Sequence, residues 1–212
     1  MKNTSTKWIF TPFWKKGAPF VDGRLQSLKE PLFRKSIGAV LELGPGTGVN
    51  FSYFPPGISW IGIEPNRALR DILMTHPKRP AHMRFVENLE EVPTESIDTV
   101  VSSLVLCSVP DLTQTVRNIR RILKVGGQLF CVEHVGAPHG TFLRLFQRLI
   151  RPVTKTIGGG CEPDRDIGEV IQKAGWGEIK IVKENIRINQ LPFSAPLIVC
   201  RAQKEKQIKR NA

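Results

Sequence analysis

The chain has 212 residues, enough for one domain with a substantial core, and its 41% apolar and 24% charged content is that of an ordinary globular protein. That balance excludes a disordered chain; no apolar run is long enough to span a bilayer, and no secretory segment is seen at the N-terminus. The net charge of +12 suggests an anionic partner, a membrane surface or nucleic acid, or else solvated tails that favour solubility.

The basic residues gather at the two ends. Lys2, Lys7, Lys15, Lys16, Arg24, Lys29, Arg34 and Lys35 face only Asp22 and Glu30 before the first predicted strand. Arg201, Lys204, Lys206, Lys209 and Arg210 face only Glu205 after the last. Three segments are therefore expected: a basic, aromatic extension over 1–36, a main domain over 37–203, and a basic tail over 204–212. In the first, Trp8, Ile9, Phe10, Phe13, Trp14 and Phe20 interleave with lysines. Such a stretch can fold as a lid, dip into a lipid interface, or stack on single-stranded nucleic acid. The lid ranks first, because Trp and Phe bury within their own domain more often. Cys107, Cys131, Cys161 and Cys200 are scattered, with no CxxC pair and no His cluster. They read as reduced thiols of a cytoplasmic protein, and no metal site is expected.

From Ser36 the pattern alternates between strands and helices. Predicted strands run over 39–43, 59–64, 83–86, 99–104 and 128–133. A helix follows the second strand, with Asn66 as N-cap and Leu69, Ile72 and Leu73 on one face. Another spans 111–123, with Val116, Ile119, Ile122 and Leu123 on one face and Gly126-Gly127 as its stop. A helix over 164–174 is stopped by Gly175, and strands over 178–182 and 197–201 follow with no helix between them. They are expected to pair antiparallel. The fold class is α/β: a Rossmann-like, doubly wound, seven-stranded sheet, mostly parallel with one antiparallel strand near the C-terminus.

The most informative stretch is Val40–Asn50, an apolar run that ends in an acid and then places Gly44, Gly46 and Gly48 at alternate positions. It reads as strand, tight turn and helix start, a place where backbone amides meet a small polar ligand. The dinucleotide fingerprint G-x-G-x-x-G puts its third glycine where Val49 stands. The E-x-G-x-G-x-G turn of class I S-adenosylmethionine-dependent methyltransferases fits instead. Glu64, at the end of the second strand, is placed to accept from ribose hydroxyls. After the third strand, Asn88 can accept from the adenine amine and the Leu89 amide can reach a ring nitrogen.

Leu41–Gly44, the turn over 53–57, Glu64–Asn66, Leu104–Val109, Gly126-Gly127 and Glu133–Val135 together resemble the methyltransferase-like protein 7 family, over residues 36 to 203. Gly160-Cys161 and Arg165 continue the likeness. The resemblance implies a small-molecule methyltransferase acting on thiols, with S-adenosyl-L-methionine as cofactor. It implies that Glu42 and the Gly44 and Ser103 carbonyls hold the methionine ammonium, with Ser102 close by. Those relatives begin with a long apolar anchoring helix that is not seen in this sequence, so any membrane contact is expected to be peripheral.

Methyl transfer to a thiol needs alignment, exclusion of water and a deprotonated sulfur. His134, at the end of the fifth strand, is the candidate base, level with a purely structural role. Cys161, after Gly158–Gly160, is expected to line the acceptor pocket or serve as an ordinary small apolar residue. Phe142, Leu145, Phe146 and Leu149 fall at helical spacing, with Arg144, Arg148 and Arg151 on another face. This basic amphipathic segment is expected to wall the acceptor pocket through Phe142 and Phe146 and to touch anionic lipid. The rival activity is N-methylation of a lipid headgroup such as phosphatidylethanolamine. An RNA-binding or RNA-modifying protein is the alternative from another class, disfavoured because no base-methylation motif is present. A monomer acting on a small molecule is expected.

Overall fold

The computed structural model describes residues 7–187 and 194–205, with the backbone alone at 7–16, 157, 187 and 194. Residues 1–6, the side chains of Trp8, Ile9, Phe10, Phe13 and Trp14, and the basic tail from 206 on lie outside the described residues.

A 27-residue helix, α1 (Lys7–Phe33), comes first. Strands β1 (Ala39–Leu43) and β2 (Ser59–Ile63), helix α2 (Arg67–Thr75) and strand β3 (His82–Phe85) follow. Next come β4 (Ile97–Ser103), α3 (Leu112–Ile122), β5 (Leu123–His134), α4 (Phe142–Ile157), α5 (Ile167–Gln172), β6 (Glu178–Arg187) and β7 (Ser194–Gln203). The seven strands form one sheet in the order β3-β2-β1-β4-β5-β7-β6. The first five are mutually parallel, and β7 runs antiparallel to both its neighbours. The doubly wound sheet with one antiparallel strand therefore forms as the alternation predicts.

Adjacent residues of a strand point to opposite faces, and both faces are covered. One buries Leu41, Val100, Leu129 and Cys131 with Val116, Ile119 and Ile122 of α3 and Ile167 and Ile171 of α5. The other buries Val40, Val101, Phe130 and Val132 with Leu25, Leu32 and Phe33 of α1. The N-terminal segment is thus built into the core rather than appended to it. Side-chain caps set two helix starts: Asn66 accepts from the Ala68 amide at 3.1 Å, and Asp111 from the Gln114 amide at 2.9 Å.

Three boundaries differ from expectation. Gly126-Gly127 do not stop α3, because β5 begins at Leu123 directly after it. The glycines sit in a bulge: Ile97 pairs with Leu123, whereas Thr99 pairs with Gln128. The helix expected over 164–174 shortens to Ile167–Gln172, because Asp164 and Asp166 are taken by arginines of α4. The hairpin is longer than expected, with pairing from Glu178↔Gln203 to Arg187↔Ser194. No helix among the described residues is long and apolar enough to cross a membrane.

Candidate active site

The glycine turn sits at the carboxyl end of β1, beside β4 at the centre of the sheet. Gly44, Gly46 and Gly48 all have positive φ, as their spacing predicts. At Gly44 a Cβ would stand 2.7 Å from Val105 Cγ2, so the turn accepts no side chain there. Glu64 holds the turn from β2: its Oε2 accepts the Gly46 N–H at 3.1 Å and its Oε1 the Asn66 N–H at 2.9 Å.

Glu42 lies beneath the turn and is fully buried. Its two oxygens accept Asn50 Nδ2 at 2.7 Å and Trp60 Nε1 at 2.8 Å. Burial lifts its pKa to about 7, against those two hydrogen bonds and the Lys29 charge. Through the first of these bonds the carboxylate orients Asn50 in the wall above it.

Above the turn is a narrow crevice, open to solvent, lined by Ala18, Val21, Asp22, Leu25 and Lys29 of α1 and by Gly44, Thr47, Asn50, Ser103 and Leu104. The C-terminal half of α1 thus forms one wall of the crevice. Phe20 points away, 59% exposed, with the Arg24 guanidinium over its ring at 4.9 Å. Lys29 is 2% exposed and ion-paired to Asp22, which also accepts the Tyr53 hydroxyl at 2.7 Å. Burial pulls the Lys29 pKa down, against Asp22 and Glu42. Thr47 Oγ1 and Asn50 Oδ1 are buried in this wall without a hydrogen-bond partner. A buried donor and acceptor left open beside an ammonium suit the carboxylate and amine of an amino acid. The methionine end of S-adenosylmethionine carries both groups, so the residues present fit that cofactor.

Asn88 and Leu89 follow β3 on the same edge. Asn88 Oδ1 accepts the Glu91 N–H at 3.1 Å, capping a short 3₁₀ turn, so its side chain is occupied locally, while Leu89 is buried. Ser103 lines the crevice, whereas Ser102 turns beneath it and donates to Glu133 Oε1 at 2.5 Å.

Glu133 is the residue that sequence reasoning left without a role. It is fully buried, and also accepts the N–H groups of Val105 at 3.2 Å and Leu106 at 3.1 Å. Burial raises its pKa to about 8, helped by Cys107 and opposed by those hydrogen bonds. It thus fixes the loop after β4, where Leu104 is held at φ 58. Arg165 clamps the same loop from the far side through the carbonyls of Leu106 at 3.2 Å and Val109 at 2.5 Å. The sequence signal for Glu133 was present: an acid at the end of an apolar strand, as at Glu42 and Glu64.

His134 ends β5, paired with Leu197 of β7. Burial alone holds its pKa down to about 4, and its Nδ1 is buried without a partner. Cys161 is half-buried, and its thiol meets that of Cys107. The contact with Cys161, followed by burial, pushes the Cys107 thiol up. All four cysteines are free. The two phenylalanines expected to wall a pocket do not close one. Phe142 is 79% exposed and Phe146 half-buried, because α4 attaches through its polar face. Arg144, read as part of a basic face that touches lipid, is buried and paired with Asp166 instead. Among the described residues no group of His, Cys, Asp and Glu could hold a metal ion.

Comparison with known proteins matches a methyltransferase-domain family to residues 17–177. The chain is 36% identical to a thiol S-methyltransferase of Rattus norvegicus over 78% of this chain and 70% of the relative. It is 33% identical to a thiol S-methyltransferase of Homo sapiens over 88% and 82%. Among solved structures, an S-adenosylmethionine-dependent methyltransferase from Thermotoga maritima superposes with a TM-score of 0.65 at 21% identity. That match covers 94% of this chain and all of the other.

Proposed function

This chain belongs to the S-adenosylmethionine-dependent methyltransferase family and resembles its methyltransferase-like protein 7 branch; on that premise we propose that it S-methylates a small, apolar thiol. The observation that carries the thiol is the 36% and 33% identity to two thiol S-methyltransferases over more than two thirds of each. When bound, S-adenosylmethionine supplies an electrophilic methyl group on a sulfonium centre. The chain's own residues bind, orient and exclude water.

At the donor end, Lys29 is assigned to the methionine carboxylate together with the Thr47 hydroxyl. Asn50 Oδ1, held in place by Glu42, is assigned to the ammonium. Glu64 supports the turn and is assigned to the ribose hydroxyls, and the Asn88-Leu89 turn to the adenine. At the acceptor end, Glu133 and Arg165 hold the loop over 104–109 so that its apolar side chains shape the approach to the methyl group.

A free thiol with a pKa of about 8.5 is roughly 3% thiolate at pH 7, and the thiolate is the nucleophile. His134, at about 4, lies some 4.5 units below that thiol, so full proton transfer to it would cost about 6 kcal/mol. We therefore assign His134, whose Nδ1 is buried and open, to positioning rather than to the base role. The thiolate then comes from solution equilibrium.

A second reading, N-methylation of a lipid headgroup amine, is favoured by the outward apolar face of α4. Labelled methyl donor, offered with an alkanethiol, an alkylamine, a phenol or phosphatidylethanolamine vesicles in separate reactions, separates the two. Label in the methyl sulfide is the expected result. Label confined to the vesicle amine would replace the first reading by the second.

A further inference from the structure

We propose that Cys161 and Cys107 form a thiol–disulfide exchange site, at which a small-molecule disulfide cross-links the α4–α5 connection to the loop after β4. The two thiols meet, and both are free. The backbone brings them together from distant parts of the chain. The Glu162 N–H, next to Cys161, donates to the Cys107 carbonyl at 2.9 Å. A Cβ on Gly160 would stand 3.2 Å from the Ser108 carbonyl oxygen, so the turn before Cys161 lies against the residue after Cys107. Arg165 fastens the same two segments through the Leu106 and Val109 carbonyls. From α4, Thr154 Oγ1 donates to the Cys161 carbonyl at 3.0 Å. A bond between the two sulfurs therefore joins segments that are already held side by side, as disulfide geometry requires.

Contact alone does not make a reactive pair, and the chain holds a second pair for comparison. Cys131 and Cys200 are register partners of β5 and β7, and their thiols also meet. Both are fully buried, and Cys107 is 3% exposed. Cys161 is half-buried, so of the four sulfurs it is the one that solvent reaches. Susceptibility to exchange follows access and thiolate character.

Cys161 is also the more acidic member of its pair. The contact with Cys107 lowers its pKa, aided by Arg165 and opposed by burial and by the charges of Glu133 and Glu162. The same contact, followed by burial, raises Cys107. The Cys161 thiolate attacks one sulfur of a disulfide R–S–S–R, forming a mixed disulfide and releasing R–S⁻. Cys107 then gives up its proton and attacks the Cys161 sulfur, which closes the internal bond and releases the second R–S⁻. Two protein thiols are oxidised, one small disulfide is reduced, and the two protons leave on two R–SH molecules.

Treatment of the folded full chain with bis(hydroxyethyl) disulfide, followed by thiol counting and peptide mass mapping, tests the proposal. Wild type is expected to fall from four free thiols to two, with a Cys107–Cys161 linkage that dithiothreitol reverses. Cys161→Ala should keep all its thiols, and Cys107→Ala should stop at a mixed disulfide on Cys161. Cys161→Ser serves the same purpose should the alanine variant fail to fold by circular dichroism. Four thiols left in the wild type, or a Cys131–Cys200 linkage in its place, would overturn the proposal. So would undiminished thiol loss in a folded Cys161 variant.

Discussion

The donor end and the acceptor end of this site are held together by different means. At the donor end, a turn of three positive-φ glycines is tied by backbone amides to Glu64, over a buried carboxylate that fixes Asn50. Nearly every partner there lies close in sequence or at the end of the neighbouring strand. At the acceptor end, the loop after β4 is fixed by Glu133 from β5 and by Arg165, which is 59 residues away from the Leu106 carbonyl it bonds. The first arrangement is a local motif that recognises one cofactor. The second is a long-range assembly, and long-range assemblies are where one fold can change substrates.

Four substitutions probe that division. Replacing Gly46 by leucine puts a side chain at φ 60 in the turn. Calorimetry with S-adenosylhomocysteine should show at least a hundredfold loss of affinity, with the thermal midpoint little changed. Retained affinity would break the donor assignment. Lys29→Met should weaken S-adenosylhomocysteine by about tenfold, as expected for a lost charge-assisted bond, and leave 5′-methylthioadenosine, which lacks the amino-acid end, unaffected. Equal loss for both ligands would assign Lys29 to folding alone.

Glu133→Gln addresses the acceptor end through pH. The Glu133 pKa rises on folding from about 4.5 to about 8, so between those values the folded state holds the extra proton. Stability attached to this group is thus fully present at low pH and lost as pH climbs toward 8. The wild-type thermal midpoint should fall from pH 5 to pH 9 more steeply than that of Glu133→Gln, whose amide cannot ionise. Parallel curves would remove the buried acid from the account. His134→Ala should lower turnover by a similar factor at pH 7 and pH 9, because a group held at about 4 is neutral throughout. A loss confined to neutral pH would restore the base role.

The contrast also explains what could be read in the sequence. The strands, the glycine turn and the cap at Asn66 were legible because each depends on neighbours within a few positions. Helices α3 and α4 show where reading stops. Both carry an apolar stripe at helical spacing; α3 buries Val116, Ile119 and Ile122, whereas α4 turns its stripe outward. Periodicity finds a stripe but does not say which way it faces, and here Asp166 and the backbone at Val135 and Ala137 decide. Ile119→Ala should accordingly cost about 2–5 kcal/mol in denaturant unfolding, and Leu149→Ala under about 0.5. Lys29 and Asp22 were illegible for a related reason. Nothing local marks them, and only the packing of α1 beside the glycine turn brings them to the crevice.

The central claim is that the donor crevice and the acceptor loop together methylate a thiol. Its most direct test is product stoichiometry for purified protein supplied with S-adenosylmethionine and an alkanethiol. The account predicts one methyl sulfide for each S-adenosylhomocysteine released, and none of either from the Gly46→Leu variant. S-adenosylhomocysteine without methyl sulfide, or methyl sulfide from the variant at the wild-type rate, would contradict it.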